Sequence, residues 1–272
     1  MTAAQDARDE RAEAGKAADG AAAETAVYVY GVVPSDVVID PEAKGIGDPR
    51  TPVALIAHRD VAALVGEVPL GTRLGTPDDL VAHAEVLDGA AAEVPVLPLR
   101  FGAVMPDRSA VVEELLAPHE QRFSDALQAL EGRIQLVVKG RYVQETVLRE
   151  IIGELPEARR LQERIARVPA EVSRDDRIAL GELIAASVEA RRAADTRRFA
   201  QLLDGLGIAY TVREPTHEFD AVHIACLLKR EDEGRLLHEC ARFARDNEHR
   251  IDMQLLGPMA AYDFVGAGPP EG

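Results

Sequence analysis

The second half of the chain switches between two hydrophobic periods in a definite order, and that order constrains its fold more tightly than any other feature. "GRIQLVVKGRYV" places Ile134, Leu136, Val137 and Val138 in a run suited to a strand at about 133–141, buried largely on both faces. A helical stretch then extends to about 168, broken at Pro156 and Pro169. A long helix follows over about 175–204, with Leu180, Ile184, Val188, Phe199 and Leu202 near one stripe. "IAYTVRE" (208–214) and "FDAVHIACLLKR" (219–230) read as a hairpin, "EDEGRLLHECARFARDN" as a helix and "RIDMQLLGP" as a last strand. The order is β-α-β-β-α-β with a helical hairpin in the first crossover. This is the split pattern of a ferredoxin-like α+β domain, whose helices pack on one face of an antiparallel sheet.

The first half is less regular. Residues 1–25 are Ala-rich and charged and lack any large apolar side chain after Met1, so they predict a disordered tail. "AVYVYGVV" (26–33) reads as a strand and "VALIAH" (53–58) as a second, joined by the Gly/Pro-rich "KGIGDPRTP". In "TPDDLVAHAEVLDGAAA", Thr76 is an N-cap with Pro77 at the first helical position, and Leu80, Ala84 and Leu87 form an apolar face. Asp107 caps a further helix carrying Val112, Leu115 and Leu116. Pro118 is expected to kink or restart it before Phe123, Leu127 and Leu130 line one side. With 272 residues, two domains are expected: 26–131 and 132–265, followed by a flexible tail over 266–272.

Composition removes several function classes. A net charge of −16 opposes unassisted binding to nucleic acid or to an anionic membrane. The Arg-rich stretches around Arg159–Arg167 and Arg191–Arg198 are interleaved with acids and read as solvated helical faces. Cys226 and Cys240 cannot build a disulfide framework, no signal-peptide plan opens the chain, and no apolar run reaches a membrane span. A cytoplasmic protein is expected.

Catalytic motifs are incomplete. "HAE" (83–85) matches half of a zinc deaminase signature whose Pro-Cys-x-x-Cys half is missing. In "HEFDAVHIAC", a strand would send Glu218 and Cys226 to one face and His217 and His223 to the other, so no metal site converges. "GIG" at 45–47 lacks the rest of a phosphate loop, and no serine sits in a nucleophile elbow. No enzyme activity, metal or cofactor is expected.

The stretch "PVLPLRFGAVM" (95–105) sets Pro98 and Arg100 among core-type residues, at odds with a simple buried strand. Following a helix that carries His83 and Val86–Leu87, it resembles the "vLPlRFG" signature of the gas vesicle protein L/F family. "YVYGVV", "RIQLVVKGRY" after "ALEG", "LGELIAASVEARRAADTRRF" and "LLGPMAAYDFV" look like the same family, so the resemblance spans roughly 26–265. The closing motif departs from the usual "GPWPPYSFV" form: Met259 stands for Trp, Ala260 and Ala261 for two prolines, and Asp263 for Ser.

The resemblance implies a ferredoxin-like amino-terminal domain, a second α+β domain and a non-catalytic accessory role in gas vesicle assembly. Its implied partner is the small hydrophobic shell protein, with other gas vesicle accessory proteins as further candidates. A small-molecule-sensing regulator built on ferredoxin-like domains is the alternative, with an enzyme of unrecognised type third. Pro98 suits a sheet edge, and Arg100 suits a point where the strand leaves the core. Arg100 and Phe101 then either lock the helix–strand–helix junction or border the partner surface. Tyr262 and Phe264 either pack the tail on the body or join that surface.

Overall fold

The computed structural model describes residues 25–169 and 172–265. The expected tails over 1–25 and 266–272 lie outside these residues, except for Thr25, which opens β1 (Thr25–Pro34). A hairpin of β2 (Val53–His58) and β3 (Val61–Pro69) follows, then α1 (Pro77–Ala91), β4 (Leu97–Pro98) and β5 (Val104–Met105). The next helix has three parts: an α turn over Arg108–Ala110, a π-wound stretch over Val111–Leu116, and α2 (Ala117–Leu130). Pro118 falls just after the junction of the π-wound stretch with α2, so the helix changes its winding beside the proline and continues through it.

The first sheet has strand order β2-β3-β1-β4, with β5 also pairing β1, and all pairings are antiparallel. β1 is buried along nearly its whole length because both faces of the sheet are covered. Tyr28 and Tyr30 face the α1 side with Leu64 and Leu87, while Val27 and Val29 face the helix containing Leu115, Leu116 and Leu127. The register shift between Val29 and Gly31 reverses that parity, so Val32 joins the second layer and Val33 the first. No helix lies between β1 and β2 among the described residues; turns and a single bridge, Lys44 to Pro52, occupy that crossover.

The structure differs from the expected elements at two points. β3 was not anticipated from "VAALVGEVP", and it is the strand that pairs β1 over its full length. In α1 the buried face runs through Asp79, Ala82, His83 and Leu87, leaving Leu80 49% exposed. A capping box fixes the helix start: Thr76 accepts from the Asp79 N–H, and Asp79 accepts in return from the Thr76 N–H. Asp79 also accepts from the Gly75 N–H and from Thr76 Oγ1 and is buried, while Leu80 beside it faces out.

The second half follows the expected order. β6 (Arg133–Tyr142) leads into α3 (Gln144–Glu154), α4 (Pro156–Arg167) and the long α5 (Arg174–Leu206). β7 (Ala209–Val212), β8 (Asp220–Lys229), α6 (Glu233–Asp246) and β9 (Ile251–Met259) complete it. The antiparallel sheet order is β7-β8-β6-β9. Ile134, Leu136 and Val138 of β6 meet Val188, Phe199 and Leu203 of α5 and Leu236 and Phe243 of α6 in one core. Ile184 and Leu202 pack at its margin.

A buried polar knot pins the long helix to this sheet. Asp195, 3% exposed, accepts from Tyr142 Oη at 2.7 Å, from Arg250 at 2.9 Å and from Arg198 at 3.2 Å. Burial, then the hydrogen bond to Asp195, push the Tyr142 phenol well above its ordinary pKa, so it stays protonated and donating. Arg250 also reaches Glu150 of α3, which Arg191 of α5 holds at 3.1 Å. Asp195 of α5 is thus tied directly to β6 through Tyr142 and to the turn before β9 through Arg250, and Arg250 links it onward to Glu150 of α3.

Candidate functional site

The free side of β1 is covered only by two short strands, each of two residues. Pro98 stands opposite Gly31 in the outermost strand of the order, where the missing N–H is tolerated. Leu99 N–H still donates to Tyr30 O at 2.9 Å, and Val29 N–H to Ala103 O at 2.9 Å, so the chain leaves the sheet between them. Gly31 is required there: a Cβ would lie 2.7 Å from Leu97 O and 2.8 Å from Leu87 Cδ2.

Arg100, at the crest of this excursion, is exposed and makes no hydrogen bond or ion pair among the described residues. Phe101 turns back instead. Its ring lies 5.5 Å from His83 and 5.9 Å from Tyr28, centroid to centroid. Tyr28 Oη is 2.9 Å from His83 Nδ1 and accepts the Gly102 N–H at 3.1 Å. Burial holds the His83 pKa below its usual value and pushes Tyr28 up to about 12, so both are neutral near pH 7. Adjacent in sequence, Arg100 and Phe101 thus part: one faces solvent, the other ties the edge loop to α1.

The carboxy-terminal tail crosses from the second sheet to the first. A Cβ at Gly257 would meet Leu136 Cδ2 at 2.9 Å and Gln135 O at 3.0 Å, so the chain passes close over β6 only with glycine there. Ala260 N–H donates to Asp88 Oδ1 of α1 at 2.9 Å, a bond that proline at this position could not make. Asp263 accepts two bonds from Arg213, at 2.8 and 2.6 Å, and one from the buried Gln135 side chain at 2.7 Å. Two departures from the usual closing motif, Ala260 and Asp263, therefore anchor the tail here.

Tyr262 stays 37% exposed near Asp88, its pKa raised first by burial and then by that carboxyl and Tyr28. Phe264 is half-buried and turns to the other side. There, with Val265, it walls an apolar groove of about 380 Å³. Leu97, Pro98 and Leu99 line it from the sheet edge, Phe123, Ala126, Ala129 and Leu130 from α2, and Leu227 from β8; Arg122 and Arg133 supply its positive charge. Of the four expected partner residues only Phe264 lines this groove. The small residues of α2 that open it, and Leu227 from the other sheet, carried no signal in sequence.

Replacing Asp263 with alanine removes a bidentate, partly buried charge pair. We expect a loss of about 1–3 kcal/mol in urea unfolding and faster proteolysis after Tyr262, with the rest of the chain still folded.

Among the described residues no group of His, Cys, Asp and Glu converges to hold a metal ion, and no helix is long and apolar enough to cross a membrane. His223 Nδ1 instead bonds Glu214 O at 2.8 Å, while the Cys226 thiol is buried and pushed up to about 12 by desolvation.

The family model for "Gas vesicle synthesis protein GvpL/GvpF" matches residues 26–266. Gas vesicle protein F of Streptomyces sp. (strain CB03234) is 33% identical over 241 residues, covering 88% of this chain and 98% of the relative. Gas vesicle protein L of the same organism is 37% identical over 125 residues, 41% of this chain and 46% of the relative. The fold matches the crystal structure of GvpF from Anabaena sp. PCC7120 with a TM-score of 0.70 at 22% identity, covering 90% of this chain and 100% of that one. That of Microcystis aeruginosa GvpF matches with a TM-score of 0.68 at 21% identity, covering 89% and 99%. The sequence signature at 95–105, the two antiparallel sheets and the coverage agree: this chain belongs to the GvpL/GvpF family of gas vesicle proteins.

Proposed function

We infer that this protein is a non-catalytic accessory factor of gas vesicle assembly that binds the hydrophobic shell subunit in the groove between α2, β4 and the tail. The supporting observation is the groove itself, an apolar concavity of about 380 Å³ beside the short outer edge of the first sheet. A shell subunit with a gas-facing apolar side and polymerising strand edges has to be shielded before it joins the wall. An apolar groove next to a strand edge offers both kinds of cover, burial of side chains and strand addition. The net charge of −16 would keep the complex dispersed in the cytoplasm until delivery.

In this reading the two sheets belong to two domains, 26–131 and 132–265. Both are ferredoxin-like, the first with its opening crossover helix replaced by the loop at 35–52. The tail then acts as a strap that fixes one domain against the other and completes the groove with Phe264 and Val265.

Co-expression with the shell protein, followed by capture and measurement of the soluble shell fraction, tests the reading. Ala129 is exposed on α2 and lines the groove. We expect Ala129→Trp to fill the groove and cut capture by roughly tenfold, the equivalent of about 1.4 kcal/mol, with the thermal midpoint unchanged. Undiminished capture by a folded Ala129→Trp would remove the groove from the account.

A further inference from the structure

A second concavity, of about 650 Å³, lies on the α1 side of the first sheet and shares no lining residue with the groove. Leu64 of β3 and Val86 and Ala90 of α1 form its apolar base. Its outer wall is the loop "DVVID" at 36–40, in which three successive aliphatic residues are bracketed by Asp36 and Asp40. Val38 in that loop is 90% exposed. A lone exposed valine needs no explanation, but this one adjoins an open apolar cavity and forms a continuous surface with it.

The rim is strongly one-signed. Asp36, Asp40, Glu85 and Glu93 surround the opening against Lys44 alone. Arg50 neutralises Glu85 through a 2.6 Å contact, which leaves three carboxylates facing one ammonium. Space is also available above the helix: nothing lies within 4 Å of a Cβ placed at Gly89, which lines the pocket.

An apolar base with an acidic rim selects its occupant by charge as well as by shape. The geometry points to a docking site for a basic amphipathic segment of a partner protein, whose aliphatic side chains enter over Leu64 and Val86 while flanking Lys or Arg residues pair with Asp36, Asp40 and Glu93. This site is separate from the shell-binding groove and stands whether or not that groove binds the shell subunit. Acidic segments and nucleic acid are repelled by the same rim.

The test uses the full chain and a fluorescein-labelled amphipathic Leu/Lys peptide, followed by anisotropy at physiological ionic strength, with a Leu/Glu peptide of the same pattern for comparison. Wild type binds the Leu/Lys peptide and not the Leu/Glu one. Gly89→Trp, which fills the cavity, and Asp36→Lys/Glu93→Lys, which reverses the rim, each weaken binding by roughly tenfold. Glu182→Lys/Glu218→Lys changes net charge by the same amount at exposed positions outside the pocket lining and leaves binding within about twofold. Equal weakening by the remote pair would show attraction to the overall charge and overturn the proposal, as would full binding by both pocket variants. Self-association that Gly89→Trp abolishes would assign the pocket to a second copy of this chain and overturn it as well.

Discussion

Replacing Asp195 with alanine is expected to cost about 3–5 kcal/mol of stability, a large share of the total for a domain, because it strands buried cationic and phenolic donors. The Arg250 side chain is only 21% exposed, so water cannot fully replace the lost carboxylate. Tyr142 Oη loses its acceptor in a site where the residue is 3% exposed. The change is read as a lowered urea midpoint at constant slope. Asp195→Asn keeps an acceptor for Tyr142 but not the charge, and should fall between wild type and alanine. By contrast, removing the exposed Arg164–Asp176 pair should leave the midpoint unmoved.

Gly31→Val should be comparably harmful by a different route. The new side chain would start 2.7 Å from Leu97 O, a backbone atom that can yield only by moving β4 away from β1. We expect a loss of at least about 1–3 kcal/mol, the usual range for overpacking, with the damage concentrated at the sheet edge. Leu99 N–H, which donates to Tyr30 O, should then exchange with solvent much faster than the N–H groups of β3. Since Leu97, Pro98 and Leu99 also wall the groove, capture of the shell protein should fall together with edge protection.

These two positions illustrate what the sequence could and could not disclose. The strand and helix order after residue 133 was legible because each element keeps one period long enough to be read, as in Ile134, Leu136 and Val138. β3 was not legible: Ala62 and Ala63 dilute its alternation, and what makes it a strand is pairing with β1. The apolar periodicity of α1 places Leu80 on its packed face, but the face that packs runs through Ala82, His83 and Leu87, with His83 bonded to Tyr28, a partner 55 residues away that local periodicity does not disclose.

For the candidate site, Pro98 and Arg100 marked an edge from sequence alone, since a missing donor and a fixed charge both belong there. The groove itself was hidden, because Leu97, Leu130, Leu227 and Phe264 meet only through the docking of two sheets and a tail. Asp195 gave no warning either. One aspartate in a charged helix looks like any other until Tyr142 and Arg250 are seen to reach it.

Site-specific photocrosslinking measures the central claim most directly. A benzoylphenylalanine placed at Ala126 or Ala129, in cells co-expressing the shell protein, should form a covalent adduct with the shell subunit, while the same probe at the exposed Gly181 should not. Adducts at Gly181 and none at either groove position, from folded protein, would contradict the assignment of this groove as the shell-binding surface.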